Sequence, residues 1–209
     1  MAQLWRASER GDARAVAALL DGDCTSDALN HAGERGATPL LIASENGHSE
    51  VVSTLLAKQG VDVNQAEDDG CTPLFIASQE GHSEVVSILL AKQGVDVNQA
   101  KNTGCTPLFI ASQEGHSEVV SMLLAKQGVD VNQAANDGST PILIASQQGH
   151  SEVVSMLLAK QGVDVNQARN SGVTPLFIAS QNGHSEVVSM LLAKQGVDVN
   201  QAKNTGSTQ

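Results

Sequence analysis

Two short apolar clusters alternate with polar turns along most of this chain, and residues 67–100 show the pattern most clearly. The first cluster, residues 74–77, follows Thr72 and Pro73, which suit a helix N-cap and the first helical position. The second cluster, residues 85–90, is an apolar stripe at helical spacing. The pattern therefore predicts two short helices in this segment.

Glycines mark the predicted ends of both helices. Gly81 ends the first helix and Gly94 the second, because glycine readily takes the left-handed conformation that terminates helices. Ser83 opens the second helix, with the carboxylate of Glu84 near its N-terminus. The stretch after Gly94 is extended in character, and a tight turn at Asp-Gly completes a helix, turn, helix and loop.

The same arrangement recurs every 34 residues. Three markers keep this interval: Thr-Pro, Gly-His and Asp-Val-Asn. They delimit five nearly identical repeats: 31–66, 67–100, 101–134, 135–168 and 169–202. Isolated helices below about 12 residues are marginal in water, so stacking of neighbouring repeats must supply the stability. We expect an all-α array of stacked helix-turn-helix units.

The repeat resembles the ankyrin repeat in its G-x-T-P-L, G-H-x-E-V-V, L-L and G-x-D-V-N segments, over residues 31–202. The resemblance implies an ankyrin-repeat solenoid with hairpin-like loops, forming a single domain over residues 1–209. One departure is the 34-residue period, against the usual ~33. The extra residue lies in the segment 89–94, where we expect a distorted turn in every repeat.

A second departure is the absence of the family's T-P-L-H histidine. Its place is taken by apolar residues, namely Leu41, Phe75, Phe109, Leu143 and Phe177. We expect the hydrogen bonds of the histidine to be replaced by packing or lost. We expect the three phenylalanines to be mostly buried; exposed, they would form an apolar stripe able to grip a helix or an extended peptide.

The two ends of the array differ. Residues 1–30 are predicted to form a degenerate N-terminal capping repeat, because Gly11, Val16 and the following leucines match the later repeats. Residues 203–209 begin another repeat but lack its proline. Either a longer array was cut here, or end-to-end self-association through the uncapped C-terminal repeat covers the open apolar face.

The charge of the chain narrows the choice of partner. The formal net charge is −11, which argues against nucleic acid because phosphate binding needs a clustered basic surface. We expect a neutral or basic protein partner. No apolar run is long enough to span a membrane, and the charged N-terminal stretch is unlike a signal peptide. An intracellular, cytoplasmic protein is the resulting expectation.

Candidate chemistry is sparse. Histidines recur once per repeat, on the order of 10 Å apart by helix packing, whereas zinc ligands lie about 2 Å from a shared ion. We predict no metal site and a structural role in bracing the turn between helices. The cysteines, Cys24, Cys71 and Cys105, form no paired framework and are expected to be free thiols. No phosphate loop or catalytic constellation is present, so neither a cofactor nor an enzymatic function is expected.

The repeats are nearly identical, so the few positions that vary between them are those at which the fold does not determine the residue type. The resemblance places them at loop tips and on a concave face that commonly contacts partners. The predicted partner-binding residues are Arg35, Asn46, Asp68, Asp69, Gln79, Glu80, Asn102, Thr103, Gln113, Glu114, Asn136, Asp137, Gln147, Gln148, Ser171, Gln181 and Asn182. Unconstrained drift of exposed positions explains the variation equally well.

A non-catalytic binding module or scaffold is thus the leading hypothesis, with two alternatives. A structural spacer is favoured by the sameness of the repeats. The second alternative is that the array is a substrate of an asparaginyl hydroxylase, because its Leu-x7-Asn segments resemble the sequence context that such enzymes accept. The candidate asparagines are Asn64, Asn98, Asn132, Asn166 and Asn200. These asparagines also suit the turn between repeats without any modification.

Overall fold

The computed structural model describes residues 2–21 and 26–201, with the side chains of Ala2 and Glu34 left out. These residues fall within two compact units, residues 1–102 and 103–209. The division lies at the tip of the loop that opens repeat 101–134. All regular secondary structure in the described part of the chain is helical.

The first unit contains seven α-helices and one short 3-10 turn among its described residues. They are α1 Ala2–Glu9, α2 Ala13–Leu20, α3 Ser26–Leu29, the 3-10 turn Glu34–Gly36, α4 Pro39–Glu45, α5 Ser49–Leu56, α6 Pro73–Gln79 and α7 Ser83–Ala91. The second unit contains three helix pairs: α8 Pro107–Glu114 with α9 Ser117–Ala125, α10 Pro141–Gln148 with α11 Ser151–Ala159, and α12 Pro175–Gln181 with α13 Ser185–Ala193.

The start of the first helix in each 34-residue repeat is fixed as the sequence predicts. Thr72 takes an extended conformation, and its hydroxyl accepts a hydrogen bond from the Phe75 N–H at 3.1 Å. Pro73 occupies the first turn, where its missing N–H leaves no bond unmade. The helix stops before Gly81, which has φ 73°. The threonine cap, the proline and the glycine stop are therefore confirmed.

The end of the second helix differs from the prediction. Helix α7 stops at Ala91, three residues before Gly94, because Lys92 turns into an extended conformation with ψ 132°. The last turn is tightened, with the Lys92 N–H bonded to the Leu89 carbonyl at 3.0 Å. The extra residue of the 34-residue period thus ends the helix early. Gly94 lies in the loop that follows, where it adopts a left-handed conformation with φ 86°.

Within each unit, the helices stack in two layers. First helices pack on first helices, as α1, α4 and α6 do in the first unit and α8, α10 and α12 in the second. Second helices pack likewise, as α2, α5 and α7 do in the first unit and α9, α11 and α13 in the second. Helices α1 and α2 stack on α4 and α5 in the same two layers, while the assignment of residues 1–30 as a degenerate capping repeat stays a prediction. Residues 203–209 lie outside the described residues.

The positions that lack the family's histidine are core positions. Leu41, Phe75, Phe109 and Leu143 are at most 5% exposed, so packing replaces the histidine's hydrogen bonds there. Phe177, in the last repeat, is 38% exposed. The expected burial of the phenylalanines is confirmed for the first two and fails at Phe177, where the described residues place no following repeat.

Candidate protein-binding surface

Neighbouring loop tips are tied together by their backbones. The Asp68 N–H donates to the Arg35 carbonyl at 3.0 Å, and the Asn102 N–H donates to the Asp69 carbonyl at 3.0 Å. The second unit repeats the bond between Asn136 and Thr103 and between Asn170 and Asp137. The Asn102 side chain also donates to the Asp68 carbonyl at 3.2 Å. The predicted binding positions Asp68 and Asn102 therefore support the scaffold as well.

Opposite charges link adjacent tips, a feature that our sequence analysis missed. The Lys101 ammonium lies 2.6 Å from the Asp69 carboxylate. Arg35 lies 4.0 Å from Glu67. In the second unit Asp137 and Arg169 carry opposite charges at the corresponding positions and line one groove. A charged tip faces its complement 32 residues later, so a comparison at that offset would have revealed the pairing.

Glu67, Asp69 and Cys71 converge at one loop, with their ligand atoms within 4.8 Å of one another. Burial, together with the negative charge of Asp69, raises the pKa of Glu67. Burial also acts to raise the pKa of Asp69, but hydrogen bonds from Lys101 and Cys71 outweigh it and lower that pKa to about 2. Burial and the neighbouring Asp69 raise the pKa of the Cys71 thiol to about 12.

These donors fit an ion pair better than a metal centre. A metal-bound cysteine must be a thiolate, whereas Cys71 is held as a thiol. The place beside Asp69 that a cation would take is filled by the ammonium of Lys101, which also lies 5.8 Å from the centre of the Phe75 ring. The loop therefore presents a fixed lysine–aspartate pair beside a buried thiol.

An open groove of about 410 Å³ gathers several predicted residues in the second unit. Its polar lining includes Thr103, Gln113, Asn136, Asp137, Gln147 and Arg169, and its apolar lining includes Cys105, Phe109 and Ile144. We call this the tip groove. It combines hydrogen-bonding side chains with a small apolar floor.

A smaller pocket of about 300 Å³ lies in the first unit. It is lined by Trp5, Glu9, Arg35, Ile42, Glu45 and Asn46, and we call it the N-terminal pocket. Two of these residues, Arg35 and Asn46, were predicted from the sequence. The others were not among the predicted residues, although Glu45 stands at a varying first-helix end, where the later repeats carry glutamine.

The predicted partner-binding residues all have accessible side chains. Four are half-buried, namely Asp69, Gln79, Gln113 and Gln147, and the others are exposed. Gln79 and Gln113 donate to the neighbouring carboxylates of Glu80 and Glu114, at 3.0 and 2.8 Å. The Asn182 side chain donates to the Gln147 carbonyl at 2.9 Å. Glu80, Glu114 and Gln148 form an exposed set at the ends of first helices.

The recurring histidines brace neighbouring repeats. The Nε2 atom of His82 hydrogen-bonds the Glu45 carbonyl at 3.0 Å, at the end of the preceding first helix. Its ring lies so close to Gly47 that a Cβ there would be 2.8 Å from the ring. His150 and His184 make the corresponding contacts in the second unit. The predicted bracing role is confirmed for these histidines, and the turn that each one braces belongs to the previous repeat.

The asparagines considered for hydroxylation hold the loops together. The Asn64 side chain donates to the Gly94 carbonyl at 2.7 Å and accepts from the Asp96 N–H at 2.9 Å. Asn132 and Asn166 make the same two bonds. The backbone N–H groups of Asn98 and Asn200 donate to Asp96 and Asp198. This bonding explains the recurrence of asparagine without any modification.

The last described repeat has an open apolar face. Phe177, Leu192 and Val199 are 38%, 51% and 59% exposed, and they are the exposed large hydrophobic residues of the described chain. They line a shallow pocket of about 270 Å³ with Leu176 and Val188. This C-terminal face corresponds to the surface that helices α10 and α11 present to α12 and α13.

Comparison with known proteins identifies the repeat. The chain matches the family described as ankyrin repeats (3 copies), over residues 4–101, 59–135 and 127–203. It is similar to the crystal structure of EF0377, an ankyrin repeat protein, with a TM-score of 0.84 and 26% identity over 91% of this chain and 96% of the other. No curated protein matches it significantly.

A second similar structure is an ankyrin repeat domain from Acinetobacter baumannii AYE. The TM-score is 0.81, with 28% identity over 90% of this chain and 95% of the other. None of the helices in the described residues has the length and apolar character needed to cross a membrane.

Proposed function

This chain belongs to the ankyrin repeat family, and we propose that it is a non-catalytic protein-binding module that holds a partner on its loop tips and first-helix ends. Ankyrin repeats generally serve as protein-interaction modules. The observation that carries the proposal is the tip groove, which brings together Thr103, Gln113, Asn136, Asp137 and Gln147, residues at positions that vary between otherwise near-identical repeats. The net charge of −11 favours a neutral or basic partner.

Affinity capture with two variants of equal charge tests this proposal. The surface variant carries Glu80→Lys, Glu114→Lys and Gln148→Lys, at exposed first-helix ends. The control carries Glu84→Lys, Glu118→Lys and Glu152→Gln, at exposed starts of second helices. We expect the surface variant alone to lose the captured protein. Equal capture by the two variants would contradict the proposed surface and favour a spacer.

A second role, end-to-end self-association, is supported by the exposed C-terminal face. We propose that this face packs against a second copy of the chain, because Leu192 occupies a position that is 9% exposed in the preceding repeat, at Leu158. Sedimentation velocity at several concentrations should show association that Leu192→Lys abolishes. A monomer at all concentrations would remove the proposal.

The hydroxylase alternative is separable from binding. Because the Asn64 amide is bonded on both sides to the next loop, modification requires local opening of that loop. Intact mass after enzyme treatment would show an increment of one oxygen if the array is a substrate.

An intracellular, reducing setting is part of our proposal, and the free thiols of Cys71 and Cys105 support it.

A further inference from the structure

Two carboxylate oxygens near Arg35 lack hydrogen-bond donors, one on Glu45, which lines the N-terminal pocket, and one on Glu67, which lies behind Arg35 and does not line it. Glu45 Oε2 and Glu67 Oε2 are both buried and neither has a hydrogen-bond partner in the described chain. The Glu67 side chain is only 10% exposed. A buried carboxylate oxygen without a donor is unfavourable, so each such atom in a folded protein calls for an explanation.

Arg35 is the nearest cation, and it satisfies neither oxygen. Its Nη2 atom lies 3.6 Å from Glu45 and its Nε atom 4.0 Å from Glu67, beyond hydrogen-bond distance. The side chain is 65% exposed. Its backbone has φ 61°, and no other non-glycine residue in the described ranges has a positive φ. Arg35 thus offsets the negative charge of Glu45 and Glu67 but donates no hydrogen bond to their buried oxygens. Its own backbone is strained.

The other nearby cation is already engaged. Lys101 is bound to Asp69 at 2.6 Å, so it lowers the pKa of Glu67 only through its charge. Burial, with Asp69 and Glu45 close by, nevertheless raises the pKa of Glu67 overall. Negative charge is in excess around this carboxylate, and a further cation would be stabilised there.

The pocket walls suit one cation in particular. Trp5 forms one wall, and its indole N–H is fixed by a 3.0 Å bond to the Ala37 carbonyl. Guanidinium groups stack on aromatic rings and present several donors in a planar fork that matches carboxylates. We propose that the N-terminal pocket binds an arginine side chain of the protein partner, with donors reaching Glu45 in its wall and, past Arg35, Glu67. This inference rests on the proposed protein-binding function.

The test uses purified protein and a minimal probe, N-acetyl-arginine methylamide. Trp5 is the single tryptophan of the chain, so its indole N–H gives one reporter signal in nitrogen-proton correlation spectra. We expect the probe to shift this signal saturably and the lysine analogue to bind more weakly. The citrulline analogue, which has the same shape without charge, should leave the signal unmoved.

Three variants define the site. Glu67→Gln should weaken probe binding about tenfold, because one charge-assisted acceptor is lost. Glu84→Gln removes the same charge on α7 and should leave binding unchanged. Arg35→Gln should strengthen binding severalfold, since the resident guanidinium no longer repels the probe. Far-ultraviolet circular dichroism checks that each variant folds.

Several results would overturn the inference. They are equal shifts with the arginine and citrulline probes, unchanged affinity in Glu67→Gln, or a saturable response to zinc chloride at concentrations where the arginine probe gives none. The last outcome would assign the acidic loop to a metal instead. None of them bears on the capture experiment at Glu80, Glu114 and Gln148, so failure of the pocket is distinguishable from failure of the binding function.

Discussion

A glycine stands before each histidine of the turns, and two separate constraints hold it there. Gly47 has φ 72°, and a Cβ on it would lie 2.8 Å from the ring of His82. Gly94 has φ 86°, but a Cβ there would meet nothing within 4 Å. Substituting alanine at Gly94 therefore tests backbone strain alone, whereas substituting it at Gly47 tests backbone strain together with the clash with His82.

Gly47→Ala should destabilise the protein more than Gly94→Ala. The left-handed backbone alone costs an alanine about 1–2 kcal/mol. The clash with His82 adds about 1–3 kcal/mol at Gly47. Urea unfolding of both variants measures the difference, and equal midpoints would show that the histidine ring yields freely. In a protein that already carries His82→Ala the ring is absent, so Gly47→Ala should there cost only the penalty of the left-handed backbone.

Glu67 should make stability depend on pH in an unusual direction. Its pKa is raised in the folded protein, so the charged form disfavours folding at pH above the folded pKa. That destabilisation fades as the pH falls through the folded pKa and is absent below the unfolded pKa. Asp69, with its pKa lowered to about 2, acts oppositely: its stabilisation is present above its unfolded pKa and is lost as the pH falls toward 2.

Glu67→Gln should accordingly raise the free energy of unfolding at pH 7 by about 1 kcal/mol, a typical value for relieving one unsatisfied buried polar group. The gain should vanish at acid pH, where Glu67 is protonated in both states. Denaturant unfolding at pH 7 and near pH 3 measures it. A gain that is independent of pH would show that ionisation of Glu67 is not its source.

Lysines at the ends of the second helices join neighbouring repeats. The Lys92 ammonium donates to the Leu56 carbonyl at 2.6 Å, at the C-terminal end of α5. Lys194 donates likewise to the Leu158 carbonyl at 2.6 Å, and Lys160 to that of Leu124. A cation at a helix C-terminus is favoured by both the unpaired carbonyls and the helix dipole.

Lys92→Met should lower stability by about 1 kcal/mol, because it keeps the aliphatic stem but removes the donor to Leu56. Lys58→Met is the control, since within the described residues Lys58 faces the exposed Asp21 at 3.8 Å. Thermal unfolding of both variants measures the effect. Loss of stability in the control alone would place the stabilisation in surface charge rather than in the helix end.

The helices were predictable where their signals are local. Thr72, Pro73 and Gly81 act on their own helix, and the sequence shows all three. The 34-residue period predicts a distorted turn in the segment 89–94, but not that the helix stops at Ala91, because that stop accompanies a bond from Lys92 to a carbonyl 36 residues away. The candidate site divides in the same way: exposed tips such as Thr103 could be proposed from their variation, whereas Trp5 and Glu67 make their contacts with other repeats, which the local sequence does not show.

Two of the three helices that share one sequence show how stacking alone affects stability. Helices α11 and α13 both read SEVVSMLLA. Leu158 in α11 is 9% exposed, and Leu192 in α13 is 51% exposed. Intrinsic helix propensity is the same in both, so any difference in protection arises from neighbouring repeats.

In the monomer, at concentrations below those at which the chain associates, amide hydrogen exchange should be at least about tenfold slower in α11 than in α13. Burying the additional apolar surface contributes about 1–2 kcal/mol, and 1.4 kcal/mol is a factor of ten. Exchange followed by mass spectrometry measures it. Equal protection would mean that another molecule or chain segment covers the C-terminal face in solution.

The contact between glycine and histidine bears on how such an array can grow. Gly149 receives the ring of His184 from the next repeat, while the adjacent His150 places its own ring on Gly115 of the previous one. Each 34-residue segment thus carries both halves of the joint. A tandem duplication of any such segment in the gene inserts a repeat that already fits on both sides. The number of repeats can therefore change in a single genetic event, with no compensating substitution at either new junction.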